Sequence, residues 1–469
     1  MYIQQFYTAC LSEAAYYIES NGEVAIIDPL RDIDAYIELA HQRNASIKYI
    51  FETHFHADFV SGHIDLSNQT GAPIIFGPGA KTQYKIQQAI DGEEIKLGKI
   101  HFKVLHTPGH TLESSCYLLF DENNKAHAIF TGDTLFVGDV GRPDLSSGNM
   151  SSEDLAEIMY HTIQQKILPL HDDVIVYPAH GPGSSCGKNL GPNTFSTIGE
   201  QKQTNYALQN QTKDEFVKAV TFGLSPAPPY FAVNAQINQK GYSNINEVVS
   251  NGTQALSIES FKEKIKSGAI ILDTRHANVF TEGFIPDSIF IGLEGRFAEW
   301  AGNLLPFNES IILVTEPGKE SETVVRLARV GFEKIEGYLE GGFEAWKNAG
   351  ERIDIIIDIE ADELMMDLPH DPNLVVLDVR KEAEYDAGHL ENAVNLPLQE
   401  LTDIALLAQF EENQNLYIHC AGGYRSVIAA SLFKKQGVDN LRNILGGWGK
   451  IKDEEKAVIV KEVEKVEKV

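Results

Sequence analysis

From Met1 to about Phe222, short apolar runs alternate with amphipathic stretches. VAIID (24–28), IKYIFET (47–53), APIIFG (72–77) and IHFKVLHT (100–107) are rich in Ile, Val and Phe. SCYLLF (115–120), HAIFTGD (127–133) and DVIVYPAH (173–180) are further short apolar runs. Their length and their Gly, Pro and Asp borders predict strands. Several close on His or Asp followed by a turn residue. That places polar side chains on loops above a rigid sheet, where binding sites are commonly built.

The pattern breaks at FGLSPAPPYFAVNAQINQKGYS, Phe222 to Ser243, which is rich in Pro, Asn and Gln and predicts a surface linker. Beyond it the chain repeats itself. Ala269–Leu293 parallels Leu374–Leu398, and Val330–Gly350 parallels Gln436–Ile451. Each copy alternates strand and helix, which predicts two small α/β domains with parallel sheets. The expected organisation is residues 1–222, a linker 223–254, repeats at 255–352 and 353–455, and a charged tail 456–469 that forms a terminal helix or frays.

Composition narrows the class. A chain of 469 residues exceeds one core, and 43% hydrophobic with 23% charged residues reads as globular. The formal charge of −28 repels phosphate backbones, so nucleic acid is not an expected partner. No apolar run approaches a membrane span, and the N-terminus lacks a signal-peptide pattern. Four scattered cysteines, Cys10, Cys116, Cys186 and Cys420, predict reduced thiols in a cytoplasmic protein. Cys10 and Cys116 lie in apolar contexts and read as packing residues. A homo-oligomer is expected.

The first chemical signal is FETHFHADFVSGH, Phe51 to His63. His54, His56 and Asp58 alternate along it; His110 follows in HTPGHT, Asp133 in FTGDTLF and His180 in YPAHG. Such donors beside turns at strand ends predict a metal centre. This order resembles the metallo-β-lactamase superfamily, with its HxHxDH signature written here as HFHADF. The resemblance implies an αββα sandwich. In two-metal relatives such as glyoxalase II, one ion uses the first two histidines with the His110 equivalent. The other uses the equivalents of Asp58, position 59 and His180, and Asp133 bridges. Phe59 removes a donor from that second site. One Fe(II) per chain, held by His54, His110 and Asp133, is what similarity to the persulfide dioxygenase branch then implies; zinc is the alternative. Two histidines and a carboxylate with open positions suit non-heme iron. His56, Asp58 and His180 become orienting groups around the ligands, with His56 retaining the spacing of a ligand.

The second signal is LYIHCAGGYRS, Leu416 to Ser426. An apolar strand runs into Cys420, then Ala421, Gly422, Gly423, Tyr424 and Arg425, then a helix. Loop amides, a helix N-terminus and the Arg425 charge favour a thiolate. The segment resembles a rhodanese, a sulfurtransferase carrying sulfur as a cysteine persulfide, and Asp378 and Arg380 are expected to brace the loop. The first repeat keeps the frame but reads LVTEPGKESETVV, with Glu316, Pro317 and Gly318 and no cysteine. It resembles an inactive rhodanese acting as a spacer or docking surface.

Together the chain resembles multidomain persulfide dioxygenase–sulfurtransferases of bacterial sulfide detoxification. The resemblance implies oxidation of a glutathione or coenzyme A persulfide by O2 to sulfite, with rhodanese transfer yielding thiosulfate. Arg142, Tyr177 and Lys202 are candidate substrate contacts. Cys186, two residues before Lys188, is a candidate sulfur carrier whose thiol Lys188 would acidify. The alternatives are a glyoxalase II-like zinc thioester hydrolase with a sulfurtransferase domain, and a non-enzymatic sulfur carrier.

Overall fold

The computed structural model describes residues 1–145, 150–188, 190–411 and 413–461. By internal packing the chain divides into two units, Met1–Glu247 with Val325–Glu333, and Val248–Val324 with Lys334–Val469.

In the first unit, one six-stranded sheet runs in chain order: Tyr2–Thr8, Glu13–Ser20, Glu23–Ile27, Ser46–Glu52, Ile74–Phe76 and Gln87–Gln88. The second runs Ser196–Thr197, Ile175–Pro178, Ala126–Gly132, Ser115–Phe120, Ile100–His106 and Glu94–Leu97. Alternation decides which face each side chain serves. Tyr16, Ile18, Ala25 and Ile27 of the first sheet pack with Phe102, Tyr117, Leu119 and Phe130 of the second. Their neighbours Tyr17, Val24 and Ile26 instead pack with Tyr36, Ala40 and Leu66, from the helices Asp34–Gln42 and His63–Thr70. On the far side, Cys116, Leu118 and Ile129 pack with Met159, Phe216 and Val220, from the helices Ser152–Thr162 and Lys213–Thr221. The result is helix, sheet, sheet, helix.

The second unit holds the repeat as two five-stranded parallel sheets of one topology. The first sheet orders Ala255–Leu256, Ile335–Leu339, Ile311–Val314, Ile270–Asp273 and Ile289–Phe290. The second orders Ile357–Ile359, Leu441–Ile444, Asn415–His419, Leu374–Asp378 and Val394–Asn395.

Two expectations are corrected. The stretch 223–254, expected as a linker, is helical over Tyr230–Lys240 and Ile245–Gly252. The first of these helices buries Tyr230, Phe231, Asn234 and Asn238, and those anchors outweigh the Pro and Asn content around them. In the tail, Ile459–Val460 pairs antiparallel with His389–Leu390 and is strand, not helix; residues 462–469 lie outside the described residues.

Candidate metal centre and sulfur loop

His54 follows the strand Ser46–Glu52, and Asp133 follows Ala126–Gly132. His110 lies in the turn between Ile100–His106 and Ser115–Phe120. Nitrogen and oxygen atoms of these three side chains come within 4.8 Å of one another, and all three residues are buried.

Their partners settle which atoms face inward. Asp28, at φ +50 after the strand Glu23–Ile27, accepts from Thr53 N–H and from the Thr53 hydroxyl, both at 2.8 Å. The hydroxyl has one proton, so it accepts from His54 Nδ1–H at 3.0 Å. His110 Nδ1–H donates to the Arg142 carbonyl at 2.8 Å. Each ring therefore presents an unprotonated Nε2 inward. His54 Nε2 lies 3.8 Å and His110 Nε2 3.5 Å from Asp133 Oδ2, which has no hydrogen-bond partner. Three lone-pair donors with no proton between them fit a cation. Burial holds the His54 imidazole well below its usual range, in the neutral form a ligand needs. Burial alone would raise the Asp133 carboxyl, but the His180 charge, with His54 and His110, holds it below the carboxylate range.

His56 turns away from this group. Its Nε2 sits 3.1 Å from Asp28 Oδ1 and 3.6 Å from Glu52 Oε2. Phe59 is fully buried, its ring 4.3 Å from that of His56. His180 bridges two carboxylates, with Nδ1 2.8 Å from Asp133 Oδ1 and Nε2 2.7 Å from Asp58 Oδ2. Burial opposes its charge, yet Asp133 and Asp58 together raise it well above the usual histidine range.

Four candidate residues sit otherwise than their expected roles require. Cys186 does lie within reach of Asp58 and His180, but burial, then Asp58 and Asp133, push its thiol up rather than down. The Lys188 ammonium, expected to acidify it, donates to the carbonyls of Phe222 and Ala219. Arg142 is not a free cation for substrate: it pairs with Asp144 at 2.6 Å and donates to the Ser225 carbonyl at 2.6 Å. Its contact with the site is the backbone carbonyl held by His110. Lys202 is spent on Asp172 and the Leu170 carbonyl, and the Tyr177 ring stacks on Phe130 at 5.4 Å.

One residue escaped the sequence reading. The buried Asn238 amide donates to the carbonyls of His56 and Phe59, each at 2.7 Å, and its oxygen accepts from Ser61 N–H at 2.9 Å. It clamps the histidine loop from a helix in the supposed linker.

In the second unit, Cys420 is buried at the end of the strand Asn415–His419, and Gly423 N–H donates to its Sγ at 3.1 Å. The thiol also reaches Ser426 Oγ at 3.7 Å. Gly447, at φ +51, brings the backbone so close that a Cβ there would lie 2.3 Å from the Cys420 carbonyl oxygen. Trp448 N–H then donates to that oxygen at 2.6 Å. Arg380 pairs with Asp378 at 2.6 Å and lies 4.4 Å over the Trp448 ring. Arg425, expected as a charge at the mouth, makes a bidentate pair with Glu384 at 2.7 and 2.8 Å, and its charge also couples to Cys420. A cavity of 530 Å³ opens at the loop, lined by Gly422, Gly423 and Tyr424 together with Arg275, His276 and Lys319 of the first repeat. Tyr424 hydroxyl donates to the Gly292 carbonyl at 2.7 Å, tying the loop to that repeat.

No helix among the described residues is long and apolar enough to cross a membrane. The metallo-beta-lactamase superfamily model matches residues 9–180, and the rhodanese-like domain model matches 257–349 and 360–454. A solved metallo-beta-lactamase structure from Staphylococcus aureus is 32% identical, with a TM-score of 0.64, and the match covers 72% of this chain and 98% of that one. Glyoxylase B2 of Dictyostelium discoideum is 31% identical over 49% of this chain and 81% of its own length. The mitochondrial persulfide dioxygenase of Bos taurus is 29% identical over 46% of this chain and 78% of its own. With the four-layer sandwich, the strand-end donors and the duplicated parallel sheets, these likenesses make the chain a member of the metallo-beta-lactamase superfamily that carries two rhodanese-like domains.

Proposed function

We propose that the first unit is a persulfide dioxygenase with one Fe(II) at His54, His110 and Asp133, and that Cys420 is a sulfurtransferase nucleophile. The observation that carries this is the convergence of two bare Nε2 atoms on the orphan Asp133 Oδ2. Iron held by these three residues would supply electrons for the reduction of O2. The chain does the rest. Thr53 and Asp28 lock the His54 tautomer, and the Arg142 carbonyl locks that of His110. The buried Phe59 replaces a donor with an apolar wall, which suits one ion over two. Overall, a thiol persulfide, O2 and water give the thiol, sulfite and two protons.

At Cys420, the thiolate takes the outer sulfur of a persulfide, and the carrier leaves as its thiolate. Gly423 N–H stabilises the resulting negative sulfur. Sulfite then attacks that sulfur, releasing thiosulfate and regenerating the cysteine thiolate. The 530 Å³ cavity has room for a peptide-sized carrier such as glutathione.

The test is anaerobic loading with Fe(II), metal analysis, and oxygen uptake with glutathione persulfide. One iron per chain and uptake lost in Asp133→Ala are expected. Persulfide-independent hydrolysis of acylglutathione with two zinc ions would establish the hydrolase reading instead. That rival draws on the retained Asp58–His180 contact and on 29% identity to a hydroxyacylglutathione hydrolase of Haemophilus influenzae.

A further inference from the structure

The cavity at the Cys420 loop is walled mostly by the repeat that has no cysteine. Three segments of the first repeat line it, around Arg275, Glu294 and Glu316. We propose that the first repeat selects the sulfur carrier for Cys420, and that the selected class is a thiol bearing a free ammonium: an amino-acid or peptide persulfide rather than a coenzyme A persulfide. This rests on the sulfurtransferase reading of Cys420 and names the substrate class of that site.

The lining has an excess of acceptors. Arg275 is already engaged, because its guanidinium is held by Asp273 at 2.6 Å and by the Gly283 carbonyl at 2.9 Å. Glu294, Glu316 and Glu322 add three carboxylates, all on exposed residues. Lys319 lies 2.8 Å from Glu322, and His276 Nε2 3.1 Å from Glu294. Glu316 Oε1 accepts from the His276 N–H at 3.3 Å. Among the described residues, the second repeat adds no lysine or arginine to the lining. It adds Asn443, on the strand Leu441–Ile444, opposite Ile418 and so two residues from the level of Cys420. The Asn443 amide nitrogen donates to Asp358 Oδ1 at 2.7 Å, and that carboxylate fixes which amide atom is the donor. The other atom, Oδ1, is buried with no hydrogen-bond partner.

A buried amide oxygen without a donor is destabilising, and a ligand N–H relieves it. Carboxylates beside it favour that donor as a cation. An ammonium supplies both, and Lys319 on the same wall suits the carboxylate of an amino-acid end group. The phosphates of coenzyme A would instead meet a wall with more carboxylates than cations. The Tyr424 hydroxyl bond to the Gly292 carbonyl holds the two sides of the cavity together, so the wall stays beside the loop. A repeat that cannot hold a persulfide thereby bears on which persulfide reaches Cys420.

Calorimetric titration of the full-length chain with S-methylglutathione and with its N-acetyl derivative tests this without any sulfur transfer. Capping the ammonium should weaken binding about tenfold, the loss of one exposed ion pair and one hydrogen bond to a buried acceptor. S-methyl coenzyme A should bind more weakly than S-methylglutathione. In Glu316→Gln, an exposed substitution that leaves the core alone, the ratio between free and capped amine should shrink. Equal affinities for the two glutathiones, absent binding included, overturn the proposal. So does tighter binding of S-methyl coenzyme A, or a ratio unchanged in Glu316→Gln, which would put the selective site elsewhere. Thiosulfate formed from glutathione persulfide and sulfite, and lost in Cys420→Ala, tests the sulfurtransferase reading by itself, so the two failures are told apart.

Discussion

The two repeats of the second unit share a frame and differ at one loop. Strand pairing aligns them: Asp273 sits opposite Val314 in the first, and Asp378 opposite His419 in the second. Thr315 therefore stands where Cys420 does, Glu316 at Ala421, Pro317 at Gly422, Gly318 at Gly423 and Glu320 at Arg425. The frame interactions are duplicated: Arg275 pairs with Asp273 at 2.6 Å and lies 4.3 Å over Phe343, as Arg380 does with Asp378 and Trp448. Yet the first loop has lost its sulfur, exchanged a glycine N–H for a proline, and reversed the charge at the helix start. The fold thus keeps its braces while the residues of the loop change.

The sharpest way to break this comparison is to move the nucleophile. Cys420→Ala should drop sulfur transfer to background. Thr315→Cys in that variant should not restore it, because Glu316 repels an anionic sulfur and the Gly318 N–H is engaged by Glu320 Oε1 at 3.1 Å. Transfer measured with thiosulfate and cyanide decides this, and recovery in the double variant would show that the sulfur alone distinguishes the loops. Next in size are the shared braces. Asp378→Asn and Asp273→Asn each leave a buried arginine short of its partner and should each cost about 3 kcal/mol in denaturant melts. The glycines under the loops come third. Gly447→Ala meets the Cys420 carbonyl and should cost about 3 kcal/mol with most transfer lost. Gly342→Ala, at φ +61 with 3.4 Å to the Thr315 carbonyl, should cost about 1 kcal/mol and leave transfer intact. Smallest is Arg425→Gln. Removing the cation beside the anionic sulfur should lower transfer about tenfold near neutrality. An unchanged rate would mean that Arg425 only anchors Glu384.

Much of this was legible in the chain. The strands around the donors follow from apolar runs closed by His or Asp, and the repeat from VVLDVR against IILDTR. The grouping of His54, His110 and Asp133 was legible through motif order. Other parts were hidden because they depend on approach between distant segments. That Thr53 shares its hydroxyl between Asp28 and His54 needs two strands side by side. Cys186 looked acidified by Lys188, but the loop folds the lysine outward and the thiol inward among carboxylates. Arg142 looked like a substrate clamp until Asp144 claimed it. The N-terminal hairpin Tyr2–Thr8 and Glu13–Ser20 was not picked out as strand because Gln4 and Gln5 interrupt the first run and the alanines and glutamates of the second leave it few β-branched residues.

Asn238 carries a consequence for modularity. The superfamily match ends at residue 180 and the second sheet at Thr197, yet the histidine loop hangs from an amide well downstream of both. A catalytic lobe cut after its last strand would retain every donor atom and lose the peg that keeps their loop in shape. The segment expected as a linker is thus part of the candidate metal centre, and swapping or trimming it should disturb the histidine loop rather than merely change a tether.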